Sequence, residues 1–116
     1  MTLIEMVRKA DEIQKAWIPK IGDKVLKNDN YISTIKIILK SEHINKEGLI
    51  WIPTHEDLLD LIPICDYKMK RTYIDNILLK LKQPSYLMNS DILEAIMFDK
   101  YDKVWNGHTW IRINWR

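Results

Sequence analysis

The chain has 116 residues, 47% of them apolar and 29% charged, with 18 Lys and Arg against 16 Asp and Glu for a formal net charge of +2. That length predicts a single globular domain over 1–116, and that mix excludes a disordered tail, an acidic nucleic-acid mimic and a strongly basic nucleic-acid binder. One cysteine, Cys65, excludes an internal disulfide and a cysteine-rich zinc site and predicts a reducing compartment.

Charged residues at Glu5, Arg8, Lys9, Asp11, Glu12 and Lys15 interrupt residues 1–18, so the unbroken apolar core of a signal peptide is missing there. Tyr31 to Leu39 and Leu49 to Pro53 fall short of the ~20 residues of a spanning helix. The expectation is a cytoplasmic protein with no membrane partner.

Leu3, Met6, Val7, Ala10, Ile13, Gln14 and Trp17 recur three or four apart and predict one helix. Thr2 and Glu5 have capping-box spacing at its start, and Pro19 ends it. Ile21 to Leu26 and Tyr31 to Leu39 predict two antiparallel strands around a polar turn at 27–30. On the second strand Tyr31, Ser33, Ile35, Ile37 and Leu39 form the expected core face; Ile32, Thr34, Lys36, Ile38 and Lys40 form the other. After a turn at Asn45 to Gly48, Leu49-Ile50-Trp51-Ile52 reads as a short strand buried on both faces.

Thr54 is the expected N-cap of a second helix, with Asp57 as its capping-box partner, Leu58, Leu59 and Ile62 facing inward and Pro63 as the stop. Tyr67, Met69 and Arg71 alternate like a strand, and Tyr73, Ile74, Ile77, Leu78 and Leu81 repeat like a helix that follows it. Ile92, Leu93, Ile96, Met97 and Tyr101 predict a last helix capped by Ser90 or Asp91. Asn106-Gly107 predicts a tight two-residue hairpin over 103–113, with Trp105 opposite His108 and Val104 opposite Thr109. The predicted class is α+β: a small antiparallel sheet, three to four helices and a C-terminal β-hairpin.

Chemical constellations are sparse. His43, His55 and His108 lack metal-ligand spacing, so no metal and no cofactor is expected, and His55 reads as a solvated first-turn residue. Asp57 with Asp60, and Glu94 with Asp99, read as solvated helix faces. Cys65, between Ile64 and Asp66, reads as a buried inert thiol. Gly22, Gly48 and Gly107 are isolated turn glycines and form no phosphate loop. No catalytic constellation is visible, and no enzyme is expected.

Two clusters combine basic and aromatic residues. Tyr67, Lys68, Lys70, Arg71 and Tyr73 form a candidate strip for nucleic acid or a small ligand such as a nucleotide. Of the five tryptophans, Trp51 and Trp105 are assigned to the core and Trp17, Trp110 and Trp115 to the surface. Trp17, Trp110, Arg112, Trp115 and Arg116 are therefore the candidate partner-binding residues, because Trp and Arg concentrate at interface hot spots.

Three stretches together resemble a family of small proteins encoded in phages and prophages of Gram-positive and gut bacteria. They are Asp11-Glu12-Ile13-Gln14 with Trp17-Ile18-Pro19-Lys20-Ile21-Gly22-Asp23, then Leu49-Ile50-Trp51-Ile52-Pro53 with Asp57-Leu58-Leu59, and finally Asp99 to Gly107 with Trp110. Two departures stand out: Thr54-His55-Glu56-Asp57 replaces the usual Arg/Thr-Gln-Asp-Gln, and Asp102 stands where the family often has Gly. Tyr31 to Lys40 has no counterpart. The resemblance implies a common scaffold and assigns no activity. What it implies for function is a non-catalytic phage-type accessory protein in the host cytoplasm. Such a protein would bind a host protein complex and inhibit a host defence, in the manner of an anti-CRISPR, or a regulatory complex. The alternative is the nucleic-acid or ligand module at 67–73. Strand edges and exposed Trp also allow a homo-oligomer.

Overall fold

The structure, a computed structural model, describes residues 3–29, 32–38 and 48–113, with the side chains of 28–29 and 32–34 outside the description. Its elements are α1 Leu3–Lys9, α2 Asp11–Ala16, β1 Lys24–Asp29, β2 Ile32–Ile37, β3 Leu49–Ile52, α3 His55–Asp60, α4 Tyr67–Lys80, α5 Asn89–Tyr101, β4 Lys103–Trp105 and β5 Trp110–Arg112. The class is α+β. One antiparallel sheet has the order β2-β1-β3, and β4 pairs with β5 antiparallel in a second. The expected Thr2 cap, Tyr31, Leu39 and Lys40, His43, the turn residues 45–47, Trp115 and Arg116 lie outside the described residues.

α5 sits at the centre. Ile92, Leu93, Ala95, Ile96, Met97 and Phe98 are all buried, so the helix is apolar on nearly every side and is wrapped by α1, α3, α4 and β4. Its start differs from the expectation: Met88 is the cap, and Asp91, in the first turn, accepts from the Tyr86 and Met88 N–H groups at 3.0 and 3.2 Å. Asp91 is thus buried with its carboxylate accepting from two backbone donors of the segment that leads into the helix. Asp102 ends the helix in the left-handed region at φ 55°.

The single N-terminal helix divides at Ala10, whose ψ of 76° leaves the helical region. The Gln14 side chain compensates. Its Nε2 donates to the Val7 carbonyl at 3.0 Å, filling a bond that a straight helix would have made with backbone alone. The same amide reaches β3: Nε2 donates to Trp51 O at 3.0 Å and Trp51 N–H donates to Oε1 at 2.8 Å.

The capping box of α3 forms as the sequence predicts, with Asp57 N–H donating to Thr54 Oγ1 and Thr54 N–H to Asp57 Oδ2. Leu58, Leu59 and Ile62 are buried beneath it. α4 corrects the strand expected at 67–71. Asp66 accepts from Lys68 and Met69 N–H and starts the helix at Tyr67, so the alternation of Tyr67, Met69 and Arg71 reflects exposed positions of a first turn.

β2 also corrects an expectation. In register, Ile35 lies opposite Leu26 and Ile37 opposite Lys24, while Lys36 lies opposite Val25. Val25 and Trp51 face the core, and Ile38 joins them there. Ile35 and Ile37 therefore point to the outer face and are 53% and 60% exposed. The core side is dictated by β1 and β3, which the alternation within β2 alone does not reveal.

The C-terminal pair forms with a different register from the two-residue hairpin. Trp105 lies opposite Trp110, Val104 opposite Ile111 and Lys103 opposite Arg112. The loop runs from Asn106 to Thr109, and the Asn106 side chain accepts from His108 and Thr109 N–H at 2.9 and 2.8 Å. That side-chain turn replaces the type I′ turn and brings both indoles to one face. They meet edge to face at 5.2 Å.

Candidate functional site

Surface candidates from the sequence divide sharply. Trp17 and Trp110 are core residues, 4% and 7% exposed, which corrects their placement at the surface; Trp51 and Trp105 are buried as expected. Trp110 Nε1–H donates to the Met6 carbonyl at 2.9 Å, so its polar edge is used in tying β5 to α1. Arg112 remains exposed. An indole counts as a surface candidate by composition, but its N–H finds an acceptor inside when one lies in reach, and Met6 O does.

The basic-aromatic stretch is also split. Tyr67, Lys68 and Arg71 are exposed on α4. Lys70 Nζ instead donates to the Leu59 carbonyl at 2.8 Å, and Tyr73 OH donates to Asp99. Those two side chains bind α4 to α3 and α5. Cys65 is exposed, contrary to the expected burial. His55 is half-buried and hydrogen-bonded through Nδ1 to Asn89 Oδ1 at 3.0 Å, which corrects its reading as a solvated residue.

The site that sequence reasoning missed is built by the loop 17–23 and the strand it enters. Trp17 stacks on Trp51 with ring centroids 6.0 Å apart and planes 5° from parallel. Trp17 Nε1–H donates to Asp23 Oδ2 at 2.9 Å, and Lys20 N–H donates to the same oxygen at 3.0 Å. Gly22, at φ 95°, makes the turn that brings Asp23 back beneath Trp17, and its N–H donates to Ile38 O at 2.8 Å. The loop is thereby fastened to both the stacked indoles and the end of β2.

Above that fastening the surface is aliphatic. Ile18 is 83% exposed and Ile21 60%, in addition to Ile35 and Ile37 on the outer face of β2. The outer face continues inward through Leu26, Ile50 and Ile52, which share it by register. Beside the loop lies a recess of about 180 Å³ walled by Trp17, Ile18, Lys20, Asp23, Trp51 and Asp57. The signal was present in the Trp-x-Pro-Lys-x-Gly-Asp spacing, but only the fold shows that it joins the Trp51 and Asp57 stretch.

Among the described residues, Glu94 and Glu12 are the carboxyls held away from their ordinary ionisation. Burial pushes Glu94 up, the neighbouring Asp91 charge adds to that, and a hydrogen bond from Gln83 opposes it. Its reading as a solvated carboxylate is thus corrected, whereas Asp99 is exposed. Burial also works to raise Glu12, but the hydrogen bond from Lys103, its own backbone and the charges of Lys103 and Lys15 outweigh burial and hold it low. Glu12 Oε2 lies 2.6 Å from Lys103 Nζ, an ion pair that joins α2 to β4.

Among the described residues no three His, Cys, Asp or Glu side chains are grouped to hold a metal ion, and no helix is long and apolar enough to cross a membrane. Comparison with protein-family models, with curated proteins and with solved structures gives no match to this chain.

Proposed function

We propose that this chain is a non-catalytic accessory protein of phage type that binds a protein complex in the host cytoplasm and inhibits a host defence or regulatory complex. The observation that carries the reading is the exposed aliphatic face: Ile35 and Ile37 stand side by side on an edge strand, more than half exposed. Full burial of such a side chain is worth about 1.5–3 kcal/mol, so a pair of them on one face is a ready contribution to a protein interface. The phage assignment rests on the resemblance carried by the Trp17 to Asp23, Leu49 to Leu59 and Asp99 to Trp110 stretches.

Affinity capture from a natural host tests it. The wild-type chain is expected to retain a defined host complex, and Ile35→Lys with Ile37→Lys to lose it while keeping the wild-type unfolding midpoint. Capture of nothing above background by the wild type overturns the reading.

Binding of nucleic acid or a nucleotide at 67–73 is the second reading, supported by the exposure of Tyr67, Lys68 and Arg71. It is the weaker one, because Lys70 and Tyr73 are engaged within the fold. A gel shift that weakens steeply with salt and is lost on Lys68→Ala with Arg71→Ala would favour it.

A further inference from the structure

The backbone of β2 is paired on one side and open on the other. Ile38 N–H donates to Asp23 O at 2.9 Å and Ile38 O accepts from Gly22 N–H at 2.8 Å, so the backbone groups of Ile38 face β1. Successive residues of a strand aim their N–H and C=O to alternate sides, which turns those of residues 32, 34 and 36 toward β1 and those of 33, 35 and 37 away from it. Among the described residues no strand lies on that outer side of β2, and Ile35, Lys36 and Ile37 are all exposed. The opposite edge of the sheet differs, since β3 bonds the Trp51 N–H and C=O to Gln14.

A second observation comes from the side chains of the same strand. Ile35 and Ile37 are more than half exposed on one face, and Lys36 stands between them on the other. When two β2 strands pair antiparallel about a two-fold axis, each face of one sheet runs into the same face of the other. With Ile35 opposite Ile35, residue 33 lies opposite residue 37 of the copy, and every outward N–H and C=O of β2 has a partner. Lys36 then lies opposite Thr34 of the copy. A slip that sets Ile35 opposite Ile37 brings the two Lys36 ammoniums opposite each other, which opposes pairing; a slip the other way leaves Ile37 with no opposite residue in β2. In the matched register the two Ile35 side chains are neighbours and each Ile37 lies diagonal to Ile35 of the copy, so apolar surface exposed on both chains leaves water together.

We propose that this chain forms a two-fold dimer through the edge of β2, with Ile35 opposite Ile35, which joins the two three-stranded sheets into one. The occupant is a second copy because this strand complements itself in hydrogen bonding, in apolar contact and in the placing of its lysine. An extended segment of another chain would find the same open backbone groups, and a monomeric wild type would assign the edge to such a segment and overturn the dimer. Host capture decides the host-binding reading separately, since that reading needs no second copy.

Sedimentation equilibrium of the full chain under reducing conditions, from about 10 µM to about 1 mM, tests the dimer. The wild type is expected to pass from monomer to dimer over that range. Ile35→Lys sets two ammoniums opposite each other and should raise the dimer Kd ~5-fold or more, with circular dichroism confirming the fold. Cysteine cross-linking fixes the register without depending on that variant. In a Cys65→Ser background oxidised with a glutathione couple, Ile35→Cys should form an intermolecular disulfide ~5-fold or more faster than Lys36→Cys, because opposite residues of a ladder have Cα atoms about 5.5 Å apart, within reach of a disulfide, whereas the two copies of residue 36 are offset along the ladder beyond it. A wild type that stays monomeric at every concentration, a dimer indifferent to Ile35→Lys, or cross-linking of Lys36→Cys as fast as that of Ile35→Cys overturns the proposal.

Discussion

Gln14 places both ends of one amide on backbone groups: its Nε2–H₂ serves the Val7 and Trp51 carbonyls, and its Oε1 takes the Trp51 N–H. Removing it strands the N–H and C=O of Trp51 in a partly buried place, while the Val7 carbonyl keeps the Ala10 N–H, so Gln14→Ala should lower stability by about 1–3 kcal/mol in urea unfolding. Gln14→Glu should be at least as damaging, since it presents an oxygen to two carbonyls where a donor is needed. A smaller effect of opposite sign belongs to Asp102, which occupies φ 55° at the end of α5. Glycine adopts that conformation without the Cβ penalty, and Asp102→Gly should raise stability by roughly 0.5–1 kcal/mol. Trp17→Phe keeps the stack on Trp51 but deprives Asp23, 4% exposed, of its indole donor, at an expected cost of about 1–3 kcal/mol.

Among the elements, those whose signals are local were legible in the sequence. Thr54 and Asp57 cap α3 as their spacing requires, and Pro63 follows its end. The β1–β2 pairing and the burial of Trp51 and Ile52 were legible too. Elements set by distant partners were not. Ala10 reads as mid-helix until Gln14 is seen to reach β3, and Asn106-Gly107 reads as a two-residue turn until Trp105 and Trp110 are seen packed on α1 and each other. The recess is illegible for the same reason: Asp23 and Asp57 are distant in sequence, and it is the stacking of Trp17 on Trp51 and the pairing of β1 with β3 that join their segments. Two carboxyls give the elements opposite pH responses. Glu12 is held low in the fold, so its pairing with Lys103 stabilises above the ordinary carboxylate range and is lost as the pH falls through the lowered value. Glu94 is held high, so the fold is favoured while it is protonated and loses stability as the pH rises through the raised value. Glu94→Gln should therefore stabilise at neutral pH and have no such benefit at low pH, where the wild-type carboxyl is protonated in both states. Thermal unfolding of both proteins across acid and neutral pH checks the crossover.

For the whole molecule, the core and the proposed interface lie on opposite faces of one three-stranded sheet. Val25, Trp51 and Ile38 point to α5 and its neighbours, whereas Ile35 and Ile37 point outward. Charging the outer face should then leave folding nearly untouched: Ile35→Lys with Ile37→Lys is expected to change unfolding free energy by less than about 1 kcal/mol, because both side chains are already more than half exposed. The same substitutions made inward, such as Val25→Lys, should abolish folding, since Val25 is 2% exposed in the main core. Circular dichroism and denaturant titration separate the two outcomes.

The Gln14 clasp has one more consequence. A sheet with two bare margins can be lengthened from either side by any passing extended chain, and homogeneous stacking of such sheets is how ordered aggregates begin. β3 is a margin of this sheet, yet at Trp51 both of its outward backbone groups are occupied by a side chain from α2. The sheet is therefore plugged on one flank, and strand addition is steered to the β2 flank, beside Ile35 and Ile37, which gives the sheet a direction of growth.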